Sequence, residues 1–213
     1  MPVFSTHFKS EGIYISFFIQ QKIILSGKTM RNLETSSKKL HVIQTTIQLM
    51  TIHGFHNVGV DLIAKETKIA KGTLYNYFHS KAGLIEICLL LQKETLMEKV
   101  REVLEITQYS TLTNKLRQIY LLHADLNSAY YLLFKAVFET KLLYPHAYQS
   151  AVRYRRWLKN EIFCLIAETK KMASYTEAEL LVFMIDGAIL RLLISDKIEE
   201  QTKLLDYYLM RVI

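Results

Sequence analysis

Residues that interrupt helices are scarce in this sequence, whose 213 positions include only 2 prolines and 7 glycines. The alternation of apolar and polar residues that predicts β-strands is missing as well. Apolar residues recur at helical spacing instead, and hydrophobic residues make up 50% of the chain against 22% for charged residues. This balance permits a packed core and argues against disorder. The sequence therefore predicts an all-α fold of one or two domains.

Cysteine is equally scarce. Cys88 and Cys164 are the only two, each lies in an apolar run, and neither has a second cysteine at metal-binding spacing. We expect both thiols to be reduced core residues of a cytoplasmic protein. A disulfide or a redox switch is the alternative reading.

Sequence signatures of catalysis are also missing. The chain has no HExxH or CxxC motif, no glycine-rich phosphate loop and no carboxylates paired as a general acid and base. His53 and His56 lie close together, but they flank Gly54 at a predicted helix end and lack a carboxylate or cysteine partner. We therefore expect no enzymatic activity, no catalytic residues, no metal and no cofactor.

Acidic residues are outnumbered, 20 against 27 basic residues, which gives a net charge of +7. The excess is concentrated between residues 31 and 81, where 7 lysines and arginines face 3 acids. Such a concentration favours a polyanionic partner such as nucleic acid over a merely basic soluble protein.

The same basic segment has the pattern of two short helices joined by a tight turn. Val60, Ile63 and Ala64 form an apolar stripe that predicts a helix from 60 to 67. Lys68, Ile69 and Ala70 follow, and three residues are enough only for a tight turn. A second helix from Lys71 has an apolar inner side and an outer side rich in hydrogen-bond donors, as a reader of the DNA major groove requires.

Many residues of this segment agree, at fixed spacing and without gaps, with one known pattern: Phe55, Val60, Ile63, Ala64, Ile69, Lys71, Gly72, Thr73, Leu74, Tyr75, Tyr77, Phe78, Ser80 and Lys81. The segment from 36 to 86 resembles the DNA-binding head of the tetracycline-repressor (TetR) family. The resemblance implies a helix-turn-helix domain at 30–85 and a helical ligand-binding and dimerisation domain at 86–213. It implies a sequence-specific transcriptional regulator, expected to be a repressor, that is released from double-stranded operator DNA by an unknown small-molecule effector.

The second short helix is expected to read the DNA bases. Lys71 and Thr73 lie at its start, where a lysine can bond guanine O6 and N7 and a threonine methyl can touch thymine. Gly72 permits a close approach of the backbone. Asn76 faces outward and is expected to bond either a base or a phosphate.

Phosphate contacts are expected from residues around this helix. Tyr75, Tyr77 and Lys81 resemble the family's phosphate-anchoring positions, which fix register without reading sequence. Lys38 and Lys39 begin the first helix, which we expect to be capped by Ser36–Ser37 and to end with Gly54 in a left-handed conformation. It is equally expected that Lys38 and Lys39 are simply solvated and contact no phosphate.

Three residues depart from the family pattern. Gly59 stands where a serine or threonine usually caps the second helix and binds phosphate, so it offers a backbone contact without a hydroxyl. Asp61 stands where arginine is common, and its carboxylate is expected to repel phosphate. Ala70 replaces the serine cap of the recognition helix, which should cost about 1 kcal/mol. We expect weaker or redistributed DNA contacts and an unchanged fold.

The remainder of the chain has helical patterns at about 81–106, 111–125, 127–142, 146–171, 175–195 and 198–212. Its aromatic residues can enclose an apolar cavity or simply pack a core; the candidates for lining an effector site are His123, Phe134, Phe138 and Trp157. The basic cluster of Arg153, Arg155, Arg156 and Lys159 is expected to be a solvated face, with attraction of an anionic ligand as the alternative. Gly187 and Ala188 permit close helix approach, and the resemblance implies a homodimer formed through the last two helices.

Residues 1–29 stand apart from the rest. The apolar stretch 13–25 is interrupted by Gln20, Gln21 and Lys22 and is too short to span a bilayer. We interpret 1–29 as an extension outside the natural protein, which would begin at Met30, and we expect no membrane partner. The alternative function is that of a helical protein associated with a membrane surface through this extension.

Overall fold

The computed structural model describes residues 30–106, 111–194 and 199–211, with the backbone alone for 30–36 and 199–201. The extension 1–29 lies outside these ranges. Within them the chain forms helices and no strands, which confirms the all-α prediction. The helices are α1 (Met30–Asn57), α2 (Val60–Thr67), α3 (Lys71–Phe78), α4 (Lys81–Glu105), α5 (Leu112–His123), α6 (Ala129–Glu139), α7 (Pro145–Ala167), α8 (Tyr175–Ile194) and α9 (Glu199–Arg211).

The chain divides into two compact units between Cys88 and Leu89, within α4. The first unit, called the head below, contains α1, α2, α3 and the beginning of α4. Its core is formed by apolar residues from all four helices and from the turn after α1: Val42, Ile43, Ile47, Met50, Phe55, Val58, Ile63, Leu74, Phe78, Leu84 and Ile85.

Helix α1 differs from its prediction at both ends. It is already helical at Met30, so a helix start capped by Ser36 or Ser37 was wrong. At the other end, Gly54 has φ 81 and ψ 164, which breaks the helical backbone but is not the predicted left-handed helical cap. This extended conformation with positive φ is accessible to glycine and strained for other residues. It lets the chain leave the helix so that Phe55 is buried in the head.

The corner between α3 and α4 is tight. His79 has φ 63, and the amide of Ser80 donates to the Phe78 carbonyl oxygen at 2.7 Å. The Ser80 hydroxyl then accepts a hydrogen bond from the Gly83 amide at 3.0 Å, which confirms the predicted cap of α4. A Cβ atom on Gly83 would lie 2.5 Å from the Phe78 carbonyl oxygen. The corner therefore needs glycine at this position.

The second unit contains the rest of α4 and helices α5 to α9, whose bounds lie within a few residues of the predicted ones. Their starts follow local rules: Thr111 and Ser128 cap α5 and α6, and Pro145 occupies the first turn of α7. Among the contacts that connect α9 to the other helices are two polar ones. The Tyr208 hydroxyl donates to the Glu177 carbonyl at 2.7 Å, and Arg117 lies 2.8 Å from Asp206.

The two cysteines are both free, but they occupy different environments. Cys88 is buried in the head, as predicted. Cys164 is exposed, so its assignment to the core was wrong. Helix α7 turns its neighbours Ile162 and Leu165 inward, and the intervening position 164 faces solvent.

Replacing Gly83 with alanine should destabilise the head by about 1–3 kcal/mol, because the added methyl group would overlap a backbone oxygen that cannot move independently. Gly72→Ala is the matched control, since a Cβ there would meet no atom within 4 Å. A glycine within a helix is destabilising relative to alanine, so the control should be neutral or stabilising. Hydrogen exchange of the amides of α2 and α3 measures both effects. Equal protection in the two variants would contradict the steric argument.

Candidate nucleic-acid interface

The turn between α2 and α3 is closed by backbone hydrogen bonds. Lys68 adopts a left-handed conformation with φ 56 and ψ 31. Its amide donates to the Lys65 carbonyl, and the amide of Ile69 donates to the Ala64 carbonyl at 3.2 Å, as in a Schellman motif. Ala70 is extended, and its carbonyl accepts from the amides of Thr73 and Leu74. Three residues thus connect the two helices, as the sequence predicted.

Helix α3 presents the predicted side to solvent. Leu74 and Phe78 are buried in the head. The exposed positions are Lys71, Gly72, Tyr75 and Asn76, and Thr73 and Tyr77 are half-buried. The donor-rich face is therefore accessible to a ligand as large as a DNA duplex.

Neither α2 nor α3 has a side-chain cap. Gly59 and Ala70 occupy the cap positions, and neither side chain bonds a helix amide. This confirms the inference drawn from the sequence at both positions. Backbone amides at such helix starts are donors that suit anions.

An ion pair joins the starts of the two helices. The Lys71 ammonium contacts the Asp61 carboxylate, and both side chains remain largely exposed, 59% for Lys71 and 78% for Asp61. The hydrogen bond and the charge of Asp61 raise the pKa of Lys71. Sequence reasoning treated Asp61 only as a source of repulsion toward phosphate and missed its pairing with the lysine expected to read bases. The available signal was the placement of both residues in the first turns of adjacent helices.

Three other predicted contact residues, Lys39, Tyr77 and Lys81, have partners within the head. The Lys81 ammonium donates to the Phe55 carbonyl at 2.8 Å, so it ties the start of α4 to the end of α1, just past the break at Gly54. The Lys39 ammonium lies 5.1 Å from the centre of the Tyr77 ring, a cation–π geometry that brings α1 and α3 together. Lys38 is exposed beside them.

His123, a candidate for the effector site, is completely buried in the second unit. Its Nδ1 lies 2.6 Å from the Ile119 carbonyl and its Nε2 lies 2.5 Å from the Tyr154 hydroxyl. Because a carbonyl only accepts, Nδ1 carries the proton and Nε2 accepts from Tyr154. Burial lowers the pKa of His123 to about 4, so the ring is neutral at pH 7.

A cluster of three polar side chains, Tyr130, Arg155 and Asp186, connects α6, α7 and α8. Arg155 donates to both carboxylate oxygens of Asp186, at 2.6 and 2.5 Å, and the Tyr130 hydroxyl donates to the same carboxylate at 2.7 Å. Burial raises the pKa of Tyr130. Burial opposes ionisation of Arg155, but the hydrogen bonds that it donates to Asp186 and Tyr130 hold its pKa above the usual value. The expectation of a solvated arginine face was therefore wrong for Arg155.

Aromatic contacts connect most of the effector-site candidates. Tyr154 lies 5.9 Å from His123 and 5.7 Å from Trp157 between ring centres, and Phe134 is buried 6.4 Å from Tyr130. Phe138 is different, because 69% of it is exposed, although its ring packs edge-on against Phe134. Its place in the last turn of α6 turns it away from the core, which argues against its lining an enclosed cavity.

Comparison with known proteins agrees with this geometry. Residues 42–88 match the family described as bacterial regulatory proteins of the tetR family. This part of the head is thus similar to the DNA-binding domain of the TetR family. UidR of Escherichia coli K12, an HTH-type transcriptional regulator, is 30% identical over 78 residues, which are 36% of this chain and 40% of UidR. The chain thus matches well under two thirds of the length of this relative.

The TetR-like fold extends through most of the described chain. A TetR-family regulator from Streptomyces coelicolor superposes with a TM-score of 0.68 at 20% identity, covering 82% of this chain and 92% of its own. A protein from Saccharomonospora viridis, solved in complex with choline, superposes with a TM-score of 0.68 at 17% identity. The superposition covers 83% of this chain and 97% of that protein. These similarities establish the fold of both units.

Acid should destabilise the second unit through His123. Its folded pKa of about 4 lies below the ordinary 6.5, so the unfolded chain binds the proton first as the pH falls. The neutral His123 ring therefore contributes up to roughly 3 kcal/mol to the free energy of unfolding. This contribution is fully present above pH 6.5 and is lost as the pH falls from about 6.5 to 4.

Urea unfolding at pH 7 and pH 5, followed by the fluorescence of the single tryptophan, Trp157, measures the loss. His123→Gln should remove this part of the pH dependence. His146→Gln, at an exposed position, should retain it. A pH dependence that survives unchanged in His123→Gln would show that another group is responsible.

Proposed function

We propose that the chain is a sequence-specific DNA-binding transcriptional regulator that acts as a homodimer. The observation that carries the proposal is the orientation of α3. Its two apolar residues are buried in the head, and its lysine, tyrosine and asparagine face solvent. An eight-residue helix supported in this way and presented beside a turn has the dimensions of a major-groove reader.

The contacts on DNA separate into base reading and positioning. Lys71 and Thr73, in the first turn of α3, are proposed to touch base edges. A Cβ at Gly72 would meet no protein atom within 4 Å, so the fold does not require glycine there, and the open space is proposed to accommodate DNA. Asn76 is proposed to bond a base or a phosphate.

Phosphates are proposed to be bound around the edge of this surface. The donors are Lys38, Lys39, Tyr75, Tyr77 and the backbone beside Gly59. Lys81 is assigned first to the head itself, because its ammonium bonds the Phe55 carbonyl. Its effect on DNA is therefore proposed to act mainly through the integrity of the head, with phosphate contact as a second role.

Dimerisation is proposed to use the last two helices. Exposed apolar residues recur along one side of α8 and along α9: Leu180, Phe183, Leu190, Ile194, Leu204, Tyr207 and Met210. Gly187 lies within this stripe, and its Cβ position is open. Exposed apolar residues that recur along a helix in this way are typical of a protein interface. Two-fold pairing would present two recognition helices to the half-sites of a palindrome.

Regulation is proposed to come from a small molecule that binds the second unit. The buried polar and aromatic cluster around His123, Tyr154, Arg155 and Asp186 supplies the polar and apolar groups that effector sites combine. Binding there is proposed to change the packing of α4 to α8 and to lower operator affinity, and operator must then lower effector affinity equally. The choline bound to the similar Saccharomonospora protein is consistent with a small-molecule site in this fold.

No observation favours the membrane-surface alternative. None of the helices in the described ranges combines the length and apolarity needed to cross a bilayer. The extension 1–29, on which the alternative depends, lies outside the described residues.

Selection of duplexes from random DNA, with and without candidate effectors, tests the proposed function. We expect a palindromic consensus. Lys71→Ala should relax preference at one position of each half-site by about tenfold. Lys38→Ala, an exposed phosphate-contact control, should weaken all duplexes alike and reduce the salt slope by about 1. Failure to enrich any palindrome would overturn the proposal.

The dimer surface is tested by Phe183→Glu, which places a charge on a ring that is 58% exposed within the apolar stripe. We expect monomers in sedimentation at micromolar concentration, because burying an unpaired carboxylate in an interface is unfavourable. Leu142→Glu makes the same kind of change at an exposed position outside α8 and α9 and should leave the dimer intact. Sedimentation of the unaltered chain as a monomer would contradict the proposed assembly.

A further inference from the structure

The ion pair of Asp61 and Lys71 places an acid within the surface proposed to face DNA. Asp61 lies in the first turn of α2, where a carboxylate is favourable to the helix dipole. Lys71 is the first residue of α3, where a positive charge is unfavourable to the dipole. The pairing offsets that unfavourable placement, so the local structure favours it in the absence of DNA.

Exposure makes this pair exchangeable. With 59% and 78% of the two side chains exposed, water and salt compete with the contact, and the pair is not fixed by burial. A DNA group that reaches Lys71 can therefore replace the carboxylate or share the ammonium with it. The identity of that DNA group decides which of the two occurs.

We propose that Asp61 is a specificity-determining residue, which withholds Lys71 from phosphate while leaving it free to bind a guanine edge. The inference rests on the proposed DNA-binding function and concerns how the same surface discriminates. In this proposal Asp61 acts by pairing with Lys71, and not by a general repulsion of DNA phosphates.

The two kinds of DNA acceptor differ in charge. A phosphate bound to Lys71 would carry its negative charge beside the Asp61 carboxylate and would meet repulsion. Guanine O6 and N7 are acceptors without net charge, and an ammonium has three N–H donors, so Lys71 can keep Asp61 and still bond the base. Asp61 therefore disfavours binding through phosphate more than binding through guanine.

Asp61→Asn keeps the shape of the side chain and removes its charge. Glu66→Gln is the matched control, because Glu66 is exposed on the same helix, whereas the acid paired with Lys71 is Asp61. Each change is made in the natural chain and in a Lys71→Met chain. Binding is measured across a salt series to the selected operator and to a scrambled duplex of equal length.

We expect Asp61→Asn to steepen the salt slope on the scrambled duplex by about 1, since Lys71 is then available to one more phosphate. A fourfold rise in salt should weaken the variant about fourfold more than the unaltered chain on that duplex. Operator affinity should change less, so the specificity ratio falls. The steepening should be absent in the Lys71→Met chain and in Glu66→Gln.

Equal steepening in Glu66→Gln, or steepening that survives in the Lys71→Met chain, would overturn the inference in favour of general electrostatics. An unchanged specificity ratio in Asp61→Asn would also overturn it. These outcomes differ from failure of the proposed function, in which the unaltered chain itself would prefer no selected duplex over the scrambled one.

Discussion

The burial of Leu74 and Phe78 decides which side of α3 faces outward. An isolated helix of eight residues is not stable in water, so its packing against the head must hold it in place. The two side chains lie four residues apart and enter the same core as Ile63 and Leu84. Because they fix the rotation of the helix, Lys71, Tyr75 and Asn76 are exposed together. The proposed DNA contacts of α3 depend on this arrangement.

The starts of α2 and α3 lack side-chain caps, and this determines which groups the proposed interface presents. Gly59 and Ala70 provide no side-chain caps, and the α2–α3 turn is held by backbone hydrogen bonds around Lys68. Lys81 adds a bond to the Phe55 carbonyl from within the head. The cap positions of α2 and α3 consequently carry no hydroxyl for phosphate, and the charges in their first turns come from Asp61 and Lys71. The three departures from the family pattern, Gly59, Asp61 and Ala70, therefore lie outside the buried core of the head.

The second unit has a polar centre in a mainly apolar core. His123 and Tyr154 satisfy each other, as do Tyr130, Arg155 and Asp186, so burial does not leave these groups without partners. Such a network favours one packing of its helices over alternatives. An effector that entered this region would have to exchange hydrogen bonds with the network. This requirement offers a physical route from ligand binding to a change in helix packing.

The sequence by itself determined the helices and the exposed face of α3. Helix periodicity, Ser80 as a cap, Pro145 in a first turn and the four-residue spacing of Leu74 and Phe78 are local signals, because they act within one or two turns of the chain. The tertiary structure decided the partners of polar side chains and the exposure of single residues. Arg155 meets Asp186 31 positions away, Lys81 meets Phe55 26 positions away, and Lys71 meets Asp61 across the turn. Cys164 and Phe138 face solvent although their neighbours are apolar. Such outcomes depend on how separate helices rotate and pack against each other, and periodicity within one helix carries no information about which side chain of another helix it will meet.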